Sequence, residues 1–317
     1  MLPLVELKDL FKEYPQGKGV SVKALQNIHL SIYPGETLGL VGESGSGKST
    51  LGRISIYLET PTQGDVLFHQ TSLTLLQQKK QIKAFRKEAQ MIFQDPYASL
   101  NPRMTLFEII SEPFSIHSSL KDKQQEVDFL LSLVGLSPSF ASSFPHALSG
   151  GQRQRVGIAR ALALRPKFIV CDEPVSALDV SVQAQIINLL KKLQQELNLT
   201  YLFIAHDLRL VKYISSRIAV LYLGCLMELA PAEDLCAHPL HPYTKALLNA
   251  IPLSDPEKEK ARPKILLQGE IPSPLNPPKG CTFSFRCPHA KPLCRQVRPL
   301  CQEVAPGRFV ACHFPLQ

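Results

Sequence analysis

Two stretches of this 317-residue chain carry residues spaced for phosphate chemistry. In the first, Gly42-Glu43-Ser44-Gly45-Ser46-Gly47-Lys48-Ser49-Thr50, an apolar run through Val41 leads into two glycines that bracket four residues just ahead of Lys48 and Ser49. Glycines at 42, 45 and 47 let the backbone turn tightly enough for several N–H groups to converge on one phosphate. A helix starting at Lys48 would set the positive end of its dipole, roughly half a charge, behind them. Lys48 is expected to reach the β- and γ-phosphates and the Ser49 hydroxyl to ligate Mg²⁺. A flexible glycine-rich turn would account for the glycines, but not for the strand before them or the Lys-Ser pair after. In the second stretch, Phe168-Ile169-Val170-Cys171 runs into Asp172-Glu173-Pro174. Adjacent carboxylates at the carboxyl end of a core strand stand where α/β sheets bind ligands. Asp172 is expected to hold Mg²⁺, and Glu173 to orient and deprotonate an attacking water. A plain acidic turn is the simpler alternative, and the upstream loop ranks it second.

Other residues join these by position. Tyr201 to Ala205 reads as a core strand ending at His206-Asp207. A lone histidine at a strand end is usually structural, but this one follows the same sheet logic as Asp172 and is expected to point at the same phosphate. Leu148-Ser149-Gly150-Gly151-Gln152-Arg153-Gln154-Arg155 precedes a strong helix former, Ile158 to Ala163, and small residues at a helix start make a second anion site. The alternative there is a capped surface helix whose arginines face water. Tyr14 sits in the turn-rich segment Tyr14-Pro15-Gln16-Gly17, where an exposed ring could stack on a purine or be an ordinary half-buried tyrosine.

The elements that must position these residues follow from periodicity. Ile28, Leu30 and Ile32 alternate with Asn27, His29 and Ser31, which is strand spacing, and Gly64 to His69 reads as another strand. From Thr105 to Ser143 the pattern turns helical. Val127, Leu130, Leu131 and Val134 share one face, and Gly135 is placed to end that helix. This segment interrupts the strand–helix alternation and is predicted to be an inserted helical subdomain. Ser176-Ala177-Leu178-Asp179 leads a helix whose Val182, Ile186, Leu189, Leu193 and Leu197 share a face, and Arg217 to Leu223 and Leu226 to Ala230 read as closing strands.

With 44% apolar residues the chain can bury a full core. No stretch approaches the ~18 consecutive apolar residues of a membrane span. Glu6, Lys8 and Asp9 interrupt what a secretion signal would need as an apolar core, so a cytosolic location is expected. The net charge of +8 is uneven: residues 251–317 hold ten Lys and Arg against five Asp and Glu, with 12 of the 26 prolines and five of the eight cysteines. That shift sets an expected boundary near Pro252 to Pro263. A basic balance can mean nucleic acid, a solvated tail or an acidic partner.

Taken in order, the phosphate loop, Gln94, the Leu-Ser-Gly-Gly-Gln run, Asp172-Glu173, Ser176 to Asp179 and His206 resemble an ABC-type ATPase along nearly the whole chain. The resemblance implies an α/β fold: a P-loop ABC ATPase with a RecA-like core, an antiparallel β subdomain and an inserted helical subdomain at about 95–160. It further implies an ATPase domain over 1–252 and a small Cys-rich extension over 253–317. Tyr14 is similar to the aromatic that stacks on adenine, and Gln94 to the glutamine that contacts Mg²⁺ and senses the transporter. Ser149, Gly150, Gly151 and Gln152 would contact the γ-phosphate bound by an opposite subunit, with Asp179 in the loop across that interface. Two such domains would pair head to tail around two ATP molecules, which explains two anion-binding helix starts in one chain.

Gln94-Asp95-Pro96-Tyr97-Ala98-Ser99-Leu100-Asn101-Pro102-Arg103 and His241-Pro242-Tyr243-Thr244 narrow the resemblance to the ATPase subunits of bacterial oligopeptide and dipeptide importers. The implied partners are a second ABC ATPase subunit, two membrane permeases and a substrate-binding protein, at the cytoplasmic face of the inner membrane. A nickel importer of the same subgroup is the near alternative. A nucleic-acid-associated ABC ATPase is the distant one, since such proteins carry paired cassettes, coiled coils or zinc insertions not seen here.

Cys281, Cys287 and Cys294, with Cys301 and Cys312 beyond, crowd a Pro-rich segment too short to fold on its own apolar content. Cytosolic chains rarely use disulfides, so the cluster points to a metal or an iron–sulfur group, with free thiols as the alternative. The gaps are wider than the Cys-x₂-Cys pairs of structural zinc. The resemblance implies a [4Fe-4S] cluster on Cys281, Cys287, Cys294 and Cys312, while Cys301 departs from the pattern. Cys171, Cys225 and Cys236 are expected to be ordinary buried or half-buried residues.

Overall fold

The computed structural model describes residues 2–17, 19–76, 78–117, 122–251, 257 and 269–316. Pro252 and Pro263, where the composition shifts, lie outside them. The chain forms two compact units that interleave in sequence: 1–2, 33–36 and 74–204 make one, and 3–32, 37–73 and 205–317 make the other.

The unit that contains the phosphate loop has two sheets. Strands β1 (Val5–Gly17), β2 (Val20–Ile32), β4 (Gln63–Phe68) and β5 (Thr71–Ser72) form an antiparallel sheet in the order β2-β1-β4-β5. In β2, Ile28, Leu30 and Ile32 are buried while Asn27 and His29 are exposed, the alternation their spacing predicts. The other sheet includes β3 (Thr37–Val41), β9 (Arg217–Tyr222) and β10 (Cys225–Pro231). β3 runs parallel to β9, which turns antiparallel into β10. All five residues of β3 are buried, as an apolar strand covered on both faces must be. Helix α1 (Lys48–Ser55) follows the loop after β3.

The carboxyl-terminal segment adds to this unit. Strands β11 (Gln302–Ala305) and β12 (Arg308–Val310) form a hairpin, and β12 pairs antiparallel with β10 through Glu228 and Leu229. The Pro-rich end thus has no need of a core of its own, because it extends an existing sheet.

In the other unit, β6 (Ala89–Ile92), β7 (Phe168–Asp172) and β8 (Thr200–Ile204) run parallel, with β7 in the middle. After α2 (Lys79–Glu88), the helical insertion comprises α3 (Pro96–Ser99), α4 (Leu106–His117), α5 (Lys123–Leu133) and α6 (Gly150–Leu162). Val127, Leu130, Leu131 and Val134 are all buried, and Gly135 takes a φ of 74° after the last turn. Helix α7 (Val180–Leu197) departs from its predicted stripe. It buries Ile186, Ile187, Leu190 and Leu193, whereas Leu197 is 43% exposed near the helix end. Asn198, in the left-handed region at φ 51°, ends the helix directly after Leu197.

Candidate functional site

The phosphate loop is built by close backbone approach. A Cβ on Gly42 would lie 2.2 Å from the Leu221 carbonyl oxygen, and one on Gly47, at φ 100°, would lie 2.4 Å from that of Ala24. Only glycine fits either position. Lys48, 6% exposed, donates from Nζ to the carbonyls of Gly42 (2.8 Å) and Glu43 (3.0 Å), so its ammonium lies over the loop as a phosphate ligand requires. The Ser46 N–H donates to Glu43 at 3.2 Å, and the Gly224 N–H to the Ser46 carbonyl at 2.9 Å, fixing the far side of the turn. Ser44 and Gly45 are exposed at its crest, and Ser49 and Thr50 lie half-buried in the first turn of α1.

Tyr14 needs a correction. It stands within β1, paired with Val22, and not in a turn. Burial, and next its hydrogen bond to the Glu59 carboxylate, raise its pKa, while the Thr50 hydroxyl beside it acts the other way. The half-buried ring is thereby tied at its hydroxyl to the neighbourhood of α1. His206 is exposed directly after β8, and Asp207 beside it caps helix α8 (Leu208–Ile214) by accepting the Arg209 N–H at 2.8 Å.

In the other unit, Asp172 ends β7 at 3% exposure. Glu173 follows at φ 44°, a left-handed conformation that costs a non-glycine residue ~1–3 kcal/mol and is typical of functional sites. Its N–H donates to Ile204 at 3.0 Å, and its carbonyl accepts from the Ser176 hydroxyl at 3.1 Å. These bonds turn the side chain out of the strand. Gln94 donates from Nε2 to Glu173 Oε2 at 3.1 Å, a pairing of residues 79 apart that no local spacing could reveal.

The serine-led helix is capped as its sequence suggests. Ser149 Oγ accepts the Gln152 N–H at 3.3 Å, and Gln152 Oε1 accepts the Ser149 N–H at 2.9 Å. A Cβ on Gly151 would come within 2.5 Å of Val182 Cγ1, and one on Gly150 within 3.2 Å of Leu178. The two glycines let α6 begin against the segment around Asp179, whose carboxylate caps α7 by accepting the Val182 N–H at 3.0 Å. The arginines do not face water as a plain surface helix would have them. Arg153, 6% exposed, donates to the Pro145 carbonyl at 3.1 Å and packs over Tyr97, whose hydroxyl also accepts from it. Arg160 donates to the Ser99 carbonyl at 2.6 Å. Both arginines thus bind the segment after Gln94 to the serine-led helix.

Cys281, Cys287, Cys294 and Cys312 line one small cavity with His241, His289 and His313. Burial, with smaller contributions from its neighbouring thiols, pushes the Cys281 thiol up to about 12. His241 is fully buried; its Nδ1 accepts the Tyr243 N–H at 3.0 Å and its Nε2 has no hydrogen-bond partner among the described residues. The donor types suit a thiophilic metal or an iron–sulfur group. Yet among the described residues no three His, Cys, Asp or Glu side chains are arranged to hold a metal ion. The iron–sulfur expectation is therefore not supported by a formed ligand set, although its four cysteines line one cavity. Cys301 is exposed and does not line the cavity, whereas Cys171 and Cys225 are buried and Cys236 half-buried as expected.

A parallel core strand feeding a glycine-built phosphate loop, a capped signature helix, and acidic residues at a second core strand define a P-loop ATPase of the ABC class. The ABC transporter family model matches residues 25–176, and the model of the oligopeptide/dipeptide transporter C-terminal region matches residues 227–294. The chain is 59% identical to the putative oligopeptide transport ATP-binding protein YkfD of Bacillus subtilis, over 98% of this chain and 95% of that one. It is 53% identical to the oligopeptide transport ATP-binding protein AppF of the same organism, over 98% and 97%. Among solved structures, the ATP-binding cassette MJ0796, a dimer bound to ADP and Pi, superposes with a TM-score of 0.65 at 34% identity, over 72% of this chain and 98% of that one. The chain belongs to the ABC transporter ATP-binding family, in the branch that carries the oligopeptide/dipeptide transporter C-terminal region. It is an ABC-type ATPase, and ATP with Mg²⁺ is the ligand of its class.

Proposed function

We propose that this chain binds and hydrolyses ATP to power the import of short peptides through a membrane ABC transporter. The observation that carries this reading is the joining, in one chain, of an intact phosphate loop and signature helix to the peptide-transporter C-terminal region at residues 227–294. The relatives named above are oligopeptide transport proteins, which disfavours nickel as cargo.

The roles follow from the chemistry of each side chain. Gly42 to Thr50 cradle the triphosphate, with Lys48 on its terminal phosphates and Ser49, Gln94 and Asp172 toward Mg²⁺. Glu173 is the general base for the attacking water, with Gln94 steering its carboxylate, and His206 contacts the γ-phosphate. Tyr14 stacks on adenine. Ser149 to Gln152, with Asp179, contact ATP held by a second cassette.

Partners of this reading are a second ATPase subunit, two permeases and a substrate-binding protein, with no nucleic acid. No helix among the described residues is long and apolar enough to cross a membrane, so attachment to the cytoplasmic face of the inner membrane would come through the permeases. Residues 1–252 would serve as the ATPase domain and 253–317 as the extension. Gentle extraction from membranes is expected to co-purify permeases, and vesicles of that complex with the binding protein to take up labelled di- and oligopeptides only with ATP. Uptake of nickel in their place would refute the cargo. A [4Fe-4S] group on Cys281, Cys287, Cys294 and Cys312 belongs to this proposal and is measured in the same preparation, kept anaerobic, as iron and acid-labile sulfide; zinc, or no metal, would remove it.

A further inference from the structure

We propose that Arg286, in the carboxyl-terminal segment, is a positioning residue of the nucleotide site: it holds and neutralises Glu43 of the phosphate loop, making ATP affinity depend on that segment. This rests on the reading of Gly42 to Thr50 as the triphosphate cradle.

Glu43 places a carboxylate in a loop whose task is to receive a polyanion. Left alone, that charge would repel the incoming triphosphate across a few ångströms of partly buried protein, where charges are poorly screened. Arg286 answers it with both arms of its guanidinium: Nη1 lies 2.7 Å from Oε2 and Nη2 3.2 Å from Oε1. The two side chains are 9% and 24% exposed, so the pair is mostly shielded from solvent. A bidentate pair fixes orientation as well as charge, which a lysine's point charge would not. The Glu43 carboxylate raises the Arg286 pKa further, so the guanidinium stays charged.

The brace is anchored at its other end. Tyr222 Oη accepts from Arg286 Nη1 at 3.3 Å, and the Glu43 N–H donates to Tyr243 Oη at 3.0 Å. Phe283, three residues before Arg286 and fully buried, packs at 5.3 Å from the Tyr222 ring and 5.2 Å from that of Tyr243. Glu43 is therefore gripped at its backbone and at its carboxylate by residues far outside the loop. Neither grip is needed merely to close the turn, which the Ser46 and Lys48 bonds already do.

The test is equilibrium binding of MgATP to the full chain and its variants. Arg286→Met is expected to weaken binding about tenfold, with Arg286→Lys in between. Glu43→Gln, which removes the charge to be answered, is expected to rescue: Arg286→Met added to Glu43→Gln should cost no more than about twofold. Unchanged affinity in Arg286→Met, or an equal loss in both backgrounds, would overturn the proposal. If Arg286→Met does not fold, as judged by thermal melting without nucleotide, Arg286→Lys with and without Glu43→Gln decides by the same comparison. Lys48→Ala separates the two readings: ATP binding at wild-type strength there would sink the cradle itself, whatever Arg286 does.

Discussion

In the proposed mechanism, Glu173 is the residue on which hydrolysis turns. Its strained backbone, its N–H bond to Ile204 and the amide of Gln94 on its carboxylate together hold that carboxylate in place. Glu173→Gln keeps the shape and removes the basicity, so ATP binding should persist while turnover falls by ~10²–10⁴. Phosphate release and nucleotide binding measured on the same preparation check both halves, and unaltered turnover would refute the role. Lys48→Ala should instead abolish tight binding, because the ammonium lying over the Gly42 and Glu43 carbonyls would be gone. Motif spacing could identify Lys48 and Glu173, since both chemistries depend on fixed neighbours in sequence. It could not find the Gln94–Glu173 or Glu43–Arg286 pairs, whose members lie 79 and 243 residues apart. Tyr14 misled for a related reason: Pro15 and Gly17 read as a turn, but pairing with Val22 and Ser21 holds the segment in an edge-to-edge ribbon.

At the level of elements, the serine-led helix and α7 are joined where neither has a side chain to spare. Gly151 meets Val182 so closely that a methyl group would need Val182 to move. Gly151→Ala is expected to destabilise the folded chain by ~1–3 kcal/mol through overpacking, seen as a lowered melting temperature. Val182→Ala in the same chain should recover most of that loss, and no recovery would mean the contact is not the cause. Apolar periodicity made the core strands legible, because β3, β7 and β8 are apolar runs buried at every position. The β11–β12 hairpin escaped it. All four residues of β11 are exposed, and β12 is held by β10 through pairs such as Glu228 with Val310, far apart in sequence, so no local apolar pattern marks the hairpin.

At the scale of the molecule, the composition shift near residue 252 suggested a separate tail, yet residues 205–317 fall in the same compact unit as the phosphate loop. The β12–β10 pairing, the packing of Phe283 on Tyr222 and Tyr243, and the Arg286–Glu43 ion pair tie residues 269–316 there, and none of these has a local sequence signal. In the proposed function, the signature helix and Asp179 act on ATP held by a second cassette. Val180, next to Asp179, is 81% exposed and caps nothing itself, which makes it a site for a photo-crosslinking side chain. The decisive measurement places that group at Val180 in a Glu173→Gln background, where ATP is retained, and maps the crosslinked peptides by mass spectrometry. With MgATP the crosslink should land on the phosphate-loop peptide of a second ATPase cassette, and without nucleotide it should not. Crosslinks that never join two cassettes, or that form equally without ATP, would contradict a triphosphate shared between paired subunits.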